Sequence, residues 1–205
     1  MTLIKSISGI RGTIGGKVDQ GLTPIDAVKF AAAYGTWLAA QTPNKKLKVV
    51  IGRDARISGP MIAELVKQTL VGLGIDIIDL GLSTTPTVEV AVPMEGADGG
   101  IILTASHNPK QWNALKLLNQ KGEFISGADG AALMAIAEAE AFDFAEVDEL
   151  GNIKQDASYL EKHIEAILNL PLVDANAIAA AQFKVVVDAV NSSGGIFVPA
   201  LLRAL

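Results

Sequence analysis

Short strand patterns alternate with longer helical patterns through most of this chain, and that alternation restricts it to a layered α/β fold. One helix is predicted from the capping residue Thr23 to about Ala40, with Pro24 at its first position. A second begins at Ser58, because apolar residues then recur at the spacing of one buried helix face. An alanine-rich helix is predicted over 131–141. Predicted strands lie at 48–51, 75–80, 99–103 and 113–118.

The loop between the last two of these strands indicates how they pair. Only a short segment separates strand 99–103 from strand 113–118. Parallel neighbours need a crossover of about a dozen residues or more, so these two strands are expected to be antiparallel. The sequence therefore predicts a three-layer α/β/α domain with a mixed sheet.

The helix and strand pattern restarts near Asp156. A predicted helix to about Leu168 is followed by a predicted strand at 183–188 and by a last helix that reaches Leu205. One strand between two helices cannot bury its own faces, and roughly 50 residues are marginal for an independent core. We therefore predict one domain over 1–152 and the incomplete start of a second, similar α/β domain over 153–205.

Composition excludes several classes of function. A net charge of −5 argues against nucleic acid as the main partner. The absence of cysteine excludes disulfides and thiolate metal sites. No apolar run approaches the roughly 18 residues of a membrane helix, and the N-terminus has no signal-peptide pattern. These features predict a cytoplasmic enzyme that binds neither nucleic acid nor a membrane, as a monomer or a homodimer.

The segment with the clearest chemistry is Thr-Ala-Ser-His-Asn-Pro at 104–109, called the serine loop below. It follows the buried strand 99–103, so it presents Ser106, His107 and Asn108 at the rim of the sheet, where α/β proteins bind their ligands. The alternative is that Ser106 only caps a helix or closes a turn.

Lys116 stands ten residues after Ser106 in an apolar strand. Such a lysine is either exposed on an edge strand or desolvated, and desolvation lowers the pKa of an amine toward the range useful for proton transfer. The second histidine, His163, lies in a charged helical stretch and is expected to be exposed.

Two arginine-containing segments accompany the serine loop. Ser-Gly-Ile-Arg-Gly at 8–12 offers Arg11 as a forked phosphate donor between glycines that would let the backbone approach a ligand. An ordinary β-turn is the alternative. In Gly-Arg-Asp-Ala-Arg-Ile-Ser-Gly-Pro at 52–60, Asp54 is expected to fix the arginines and Ser58 to cap a helix. Direct substrate contact by Arg53 is the alternative there.

These segments, together with Asn-Ala-Leu-Lys at 113–116, resemble the α-D-phosphohexomutases, the family of phosphoglucomutase, phosphomannomutase and phosphoglucosamine mutase. Ala114 replaces the glycine usual in that family, which could alter the local turn. The resemblance implies that Ser106 carries a phosphate, that Lys116 and Arg11 handle the proton and the developing charge, and that the remaining residues support the loop or the substrate. The supporting residues are Asn108, Arg53 and Asn113. His107 is placed with the catalytic residues Ser106, Lys116 and Arg11, and it is expected to orient the serine loop.

The resemblance also implies a reaction and a metal. Family members interconvert hexose 6-phosphates and hexose 1-phosphates through a hexose 1,6-bisphosphate, and this sequence looks most like the phosphoglucosamine mutases. One Mg²⁺ is bound by the phosphate on Ser106 and by three aspartates from an Asp-x-Asp-x-Asp-Arg loop, which is not in this sequence. We therefore expect the 205 residues alone to be inactive. The alternatives are a phosphoglucomutase or phosphomannomutase, a non-catalytic phosphosugar-binding module, or a phosphatase with a serine nucleophile.

Overall fold

The computed structural model describes residues 2–6, 9–43 and 45–205. Seven strands form one sheet, in the spatial order β1, β2, β6, β5, β3, β4, β7. In chain order the strands are β1 Ile4–Ser6, β2 Gly9–Thr13, β3 Lys48–Arg53, β4 Asp76–Leu82, β5 Gly99–Leu103, β6 Trp112–Leu118 and β7 Ile153–Gln155.

The sheet is mixed, as the short loop before β6 predicts. β5, β3, β4 and β7 are parallel, whereas β6 is antiparallel to β5, and β2 and β1 continue the antiparallel half. Residues 153–155 therefore extend this sheet three residues past the boundary predicted at 152. The division into two domains stays a prediction.

Helices cover both faces of the sheet and complete the predicted three layers. The α-helices of the described residues are α1 Pro24–Gln41, α2 Gly59–Gly72, α3 Thr85–Met94, α4 Gly127–Ala139, α5 Tyr159–Leu168, α6 Ala175–Ala180 and α7 Gly194–Ala204, of which α1 to α5 contribute to the two cores on the sheet. Apolar side chains of α1, α2 and α4 form the larger core with one face of the sheet. Those of α3, with Tyr159 of α5, form a smaller core against the other face.

The two predicted helix caps behave differently. Thr23 caps α1 with its side chain, and Asp26 completes a reciprocal capping box, as the sequence predicts. Ser58 occupies the position before α2, but its hydroxyl makes no capping hydrogen bond and instead accepts one from Asn113 Nδ2 at 2.9 Å. The prediction of a Ser58 cap is therefore wrong, because the hydroxyl is bound to β6.

The structure also corrects the expectations for the last fifty residues. The segment 183–188 is not a strand, and in the described part of the chain no strand follows β7, so its backbone has no neighbour with which to pair. His163 is half-buried rather than exposed, because α5 packs on α3. The Nδ1 atom of His163 lies 2.9 Å from Thr87 Oγ1. Burial lowers the pKa of His163.

Among the described helices, none has both the length and the hydropathy to cross a bilayer.

Candidate active site

The carboxyl ends of the parallel strands β3 and β5 bring two loops together. The serine loop follows β5, and the segment 54–58 follows β3. Asp54 N donates to Leu103 O at 3.1 Å, which fastens the start of one loop to the end of the other strand. The two segments are 50 residues apart in sequence, so parallel pairing of β3 with β5 is what makes them neighbours.

Ser106 is exposed on the turn that follows β5, in a left-handed backbone conformation with φ of +53°. Left-handed geometry costs a residue with a Cβ about 1–2 kcal/mol, so surrounding contacts must hold it. Its amide donates to Thr104 Oγ1 at 3.1 Å. Within the described residues its hydroxyl has no hydrogen-bond partner, so Ser106 neither caps a helix nor uses its side chain to close the turn.

Asp54 connects the two loops through its carboxylate. Thr104 Oγ1 donates to Asp54 Oδ2 at 2.6 Å, and the Arg56 amide donates to Asp54 Oδ1 at 3.0 Å. Arg56 Nε also donates to Oδ2 at 3.2 Å. The expectation that Asp54 fixes an arginine with its side chain is met for Arg56. Arg53 instead donates from Nη1 to the Asp54 backbone carbonyl at 3.1 Å.

Arg56 is the residue whose importance sequence reasoning missed. Its guanidinium is about nine-tenths buried and donates to four backbone carbonyl oxygens, in addition to Asp54. Three of these carbonyls belong to the serine loop, and the fourth belongs to Trp112 at the start of β6. The only sequence signal was its place after Asp54 on a strand-to-helix turn, which gives no indication of a partner 50 residues away.

The neighbours of Ser106 in the serine loop have different environments. Asn108 Nδ2 and Asn108 N both donate to Ala105 O, at 2.8 and 3.0 Å, so Asn108 closes the turn around Ser106. His107 is exposed, and none of the residues in the described ranges forms a hydrogen bond with it. Asn113 is fully buried and binds Ser58, so it supports the loops from below the sheet edge rather than facing a ligand.

Lys116 and Arg11 lie on one face of adjacent strands. Arg11 of β2 pairs with Ala114 of β6, and Lys116 is two residues further along β6, so their side chains project to the same side. Because β6 lies between β2 and β5, the edge-strand alternative for Lys116 is wrong. Ala114 lies within β6 and not in a turn, so its replacement of glycine does not change a turn here.

The ammonium of Lys116 is directed away from the serine loop. Lys116 pairs with Ile102, four residues before Ser106, and its Nζ lies 5.7 Å from the centroid of the Phe124 ring. Glu89 of α3 is half-buried on the same side; burial raises its pKa, and the positive charge of Lys116 partly offsets that rise. No hydrogen bond between Lys116 and Ser106 occurs in the part of the chain that is described.

The glycines beside Arg11 lie where the backbone is closely packed against neighbouring segments. A Cβ on Gly9 would lie 2.1 Å from Leu115 O, and a Cβ on Gly12 would lie 2.9 Å from Leu22 N. The segment is strand β2, so the β-turn alternative is wrong. Arg11 Nε is buried without a partner among the described residues, which leaves a donor available near Lys116. Ser8 lies outside the described residues.

The described residues do not form a magnesium site. Across residues 2–6, 9–43 and 45–205, no group of three or more histidine, aspartate or glutamate side chains could hold a metal ion. The carboxylate nearest the serine loop in the hydrogen-bond network is Asp54, and both of its oxygens are bound to Thr104 and Arg56.

A family model, curated relatives and a solved structure that are similar to this chain all carry names of hexose phosphate mutases. Residues 3–144 match the family model described as phosphoglucomutase/phosphomannomutase, alpha/beta/alpha domain I. A phosphoglucomutase/phosphomannomutase of Thermococcus kodakarensis is 37% identical over 95% of this chain and 42% of its own length. A probable phosphoglucosamine mutase of Pyrococcus abyssi is 37% identical over 97% of this chain and 40% of its own. The crystal structure of a putative phosphomannomutase from Thermus thermophilus superposes with a TM-score of 0.80 at 26% identity, over 100% of this chain and 44% of the other. This chain thus spans less than half of these proteins.

Proposed function

The chain belongs to the phosphoglucomutase/phosphomannomutase family, and we propose that it supplies the phosphoserine part of a phosphohexomutase active site. The observation that carries this proposal is the state of Ser106. Its hydroxyl is exposed and unpartnered among the described residues, whereas its backbone amide and carbonyl are both held. A serine that only served a turn would be expected to use its hydroxyl there.

The proposed reaction moves a phosphoryl group in two steps. In the first, the bond from phosphorus to Ser106 Oγ breaks as a hydroxyl oxygen of the hexose monophosphate forms a new bond to phosphorus, giving a hexose 1,6-bisphosphate. In the second, the phosphate at the other sugar position transfers back to Ser106 Oγ. Such transfers depend mainly on positioning and on stabilising negative charge.

We propose that residues of this chain contribute to both requirements. Arg11 and Lys116 place positive charge on one face of β2 and β6, and Lys116 is the candidate to exchange the proton of the sugar hydroxyl. Its ammonium now lies over Phe124, so proton transfer at Ser106 requires the lysine side chain to leave that ring. His107, Asn108 and Arg53 border the same loop, and we propose that they orient it.

A magnesium ion is proposed for the whole protein only. The described residues do not form a site for it, and the phosphate on Ser106 is the one ligand this chain would offer. The other ligands would come from the part of the relatives that this chain does not span, so the 205 residues alone should not turn over substrate.

The substrate is proposed to be a hexose phosphate, with glucosamine phosphate favoured. Of the two relatives compared above, one is named a probable phosphoglucosamine mutase and the other a phosphoglucomutase/phosphomannomutase. We retain the cytoplasm as the proposed location and a phosphosugar as the proposed partner. A non-catalytic phosphosugar-binding module, in which Ser106 never carries a phosphate, is the alternative that the experiment below separates from a phosphohexomutase.

Mass spectrometry of the protein tests the proposal directly. A protein that extends this chain to the length of its relatives is incubated with glucose 1,6-bisphosphate, and phosphorylation is measured by intact mass and located by peptide sequencing. We expect one phosphate, on Ser106, absent from Ser106→Ala and unchanged in Ser192→Ala. Failure of Ser106 to gain phosphate in that extended protein would favour the binding module.

A further inference from the structure

We propose that Arg56 is a positioning residue that fixes Ser106 for phosphoryl transfer without touching the phosphate; this deepens the function proposed above and rests on it. The observation is the complete use of its hydrogen-bond donors. A guanidinium has five N–H groups. In this structure Nε donates to Asp54, Nη1 donates to the carbonyls of Pro109 and Trp112, and Nη2 donates to those of Ser106 and Asn108.

The geometry of these bonds is that of a saturated donor. The four bonds to carbonyl oxygens measure 2.9, 3.0, 2.7 and 2.8 Å in that order, and the bond to Asp54 measures 3.2 Å. Because every N–H is committed and only about a tenth of the side chain is exposed, Arg56 has no donor left for a phosphate. Its positive charge is also offset by Asp54, 3.2 Å away. A role as a direct phosphate ligand is therefore disfavoured.

The same bonds explain how Ser106 keeps its left-handed conformation. Starting from Ser106 N, hydrogen bonds pass to Thr104 Oγ1, from that hydroxyl to Asp54, and through Arg56 back to Ser106 O. This closed ring restrains the peptide groups on both sides of the serine and leaves only its hydroxyl free. The Arg56 guanidinium thereby helps to fix the backbone from which the Ser106 side chain projects.

Lysine cannot replace arginine in this arrangement. Its ammonium has three donors and no planar fork, so it can reach only some of the carbonyls while keeping the same charge. Arg56→Lys therefore separates the two possible roles. If Arg56 acted through its charge on the phosphate, lysine would preserve much of the activity; if it positions the loop, lysine would not.

The experiment uses a protein that extends this chain to the length of its relatives, because the 205 residues alone are not expected to react. It compares Arg56→Lys with the unmodified protein and with Arg203→Lys, a matched substitution in α7 outside the site. Three quantities are measured: the unfolding midpoint, the hydrogen exchange of backbone amides in 104–112, and the rate of Ser106 phosphorylation as a function of glucose 1,6-bisphosphate concentration. We expect Arg56→Lys to accelerate amide exchange in that segment at least about tenfold. A displacement of about 1 Å at a reacting group can cost about a hundredfold in rate, so we expect a maximal phosphorylation rate lower by that order. The concentration at half-maximal rate should not change, because Arg56 does not contact the phosphate donor.

The outcomes are distinguishable. Arg203→Lys should match the unmodified protein in all three measurements. A maximal rate in Arg56→Lys within about threefold of that control, or a changed half-saturation with an unchanged maximal rate, would overturn the positioning role. If no protein accepts phosphate, the proposed function fails. The exchange data then still decide whether Arg56 holds the loop, and unchanged exchange in 104–112 would refute that.

Discussion

The left-handed conformation of Ser106 predicts an unusual order of stability among its variants. Ser106→Ala and Ser106→Gly both remove a hydroxyl that has no partner within the described ranges, so they differ mainly in the Cβ. A Cβ costs about 1–2 kcal/mol in left-handed geometry. Glycine lowers the free energy of unfolding by about 0.4–1 kcal/mol relative to alanine, because it gives the unfolded chain more conformational freedom. The midpoints of the two ranges leave Ser106→Gly more stable than Ser106→Ala by about 0.8 kcal/mol of unfolding free energy.

Urea unfolding followed by the fluorescence of Trp37 and Trp112 measures this difference. In a thermal scan, 1 kcal/mol corresponds to about 2–4 °C for a chain of this size. Gln68, exposed in the interior of α2, provides the control. Glycine in a helix is about 1 kcal/mol less favourable than alanine, so Gln68→Gly should be less stable than Gln68→Ala, the reverse of the order at Ser106.

Equal stability of the two Ser106 variants, or a more stable alanine variant, would refute the reasoning. Either result, with the expected order at Gln68, would mean that Ser106 does not occupy left-handed geometry in solution. The ring of hydrogen bonds through Asp54 and Arg56 would then not be holding a strained residue, and Arg56 would not be positioning Ser106.

Two further predictions concern stability. Tyr34 is fully buried and its hydroxyl donates to Leu118 O at 2.7 Å, so Tyr34→Phe should cost about 1–3 kcal/mol of unfolding free energy in urea titrations; no loss would contradict the assigned bond. Hydrogen bonds from Ser158, then from Lys162, lower the pKa of Asp156 to about 2 from 3.8. Its stabilisation is therefore complete above about pH 5 and is lost as the pH falls through 2, so Asp156→Asn should flatten the pH dependence of stability in that window, and an unchanged slope would refute the assignment.

The parts of the fold that sequence could predict are those with local signals. Helix α1 has a cap and an N-terminal proline, and β5 is a continuous apolar run, so both were predicted near their observed bounds. Strand β2 is glycine-rich and short, and it is a strand because β6 pairs with it. The reverse error occurred at 183–188, whose valines match a strand but have no neighbouring strand in the described chain.

The site shows the same division. Ser106 and Lys116 are predicted site residues because a distinctive hexapeptide and an apolar strand mark them, whereas the contacts of Arg56 are with carbonyls 50 to 56 residues away. Carbonyl groups are present at every residue, so no sequence pattern could identify them as partners. Ser58 was assigned to a cap by local preference, but its hydroxyl binds Asn113, 55 residues away.

The order of strands has a consequence for how the chain reaches this state. Strands β3, β4 and β5 pair among neighbours between Lys48 and Leu103, but β2 can join the sheet only after β6 has been synthesised, about a hundred residues later. Closing so long a loop is entropically costly and slows folding. Arg11 therefore reaches the strand that carries Lys116 late in folding. In a nascent chain that ends before residue 112, β2 would still lack its β6 partner.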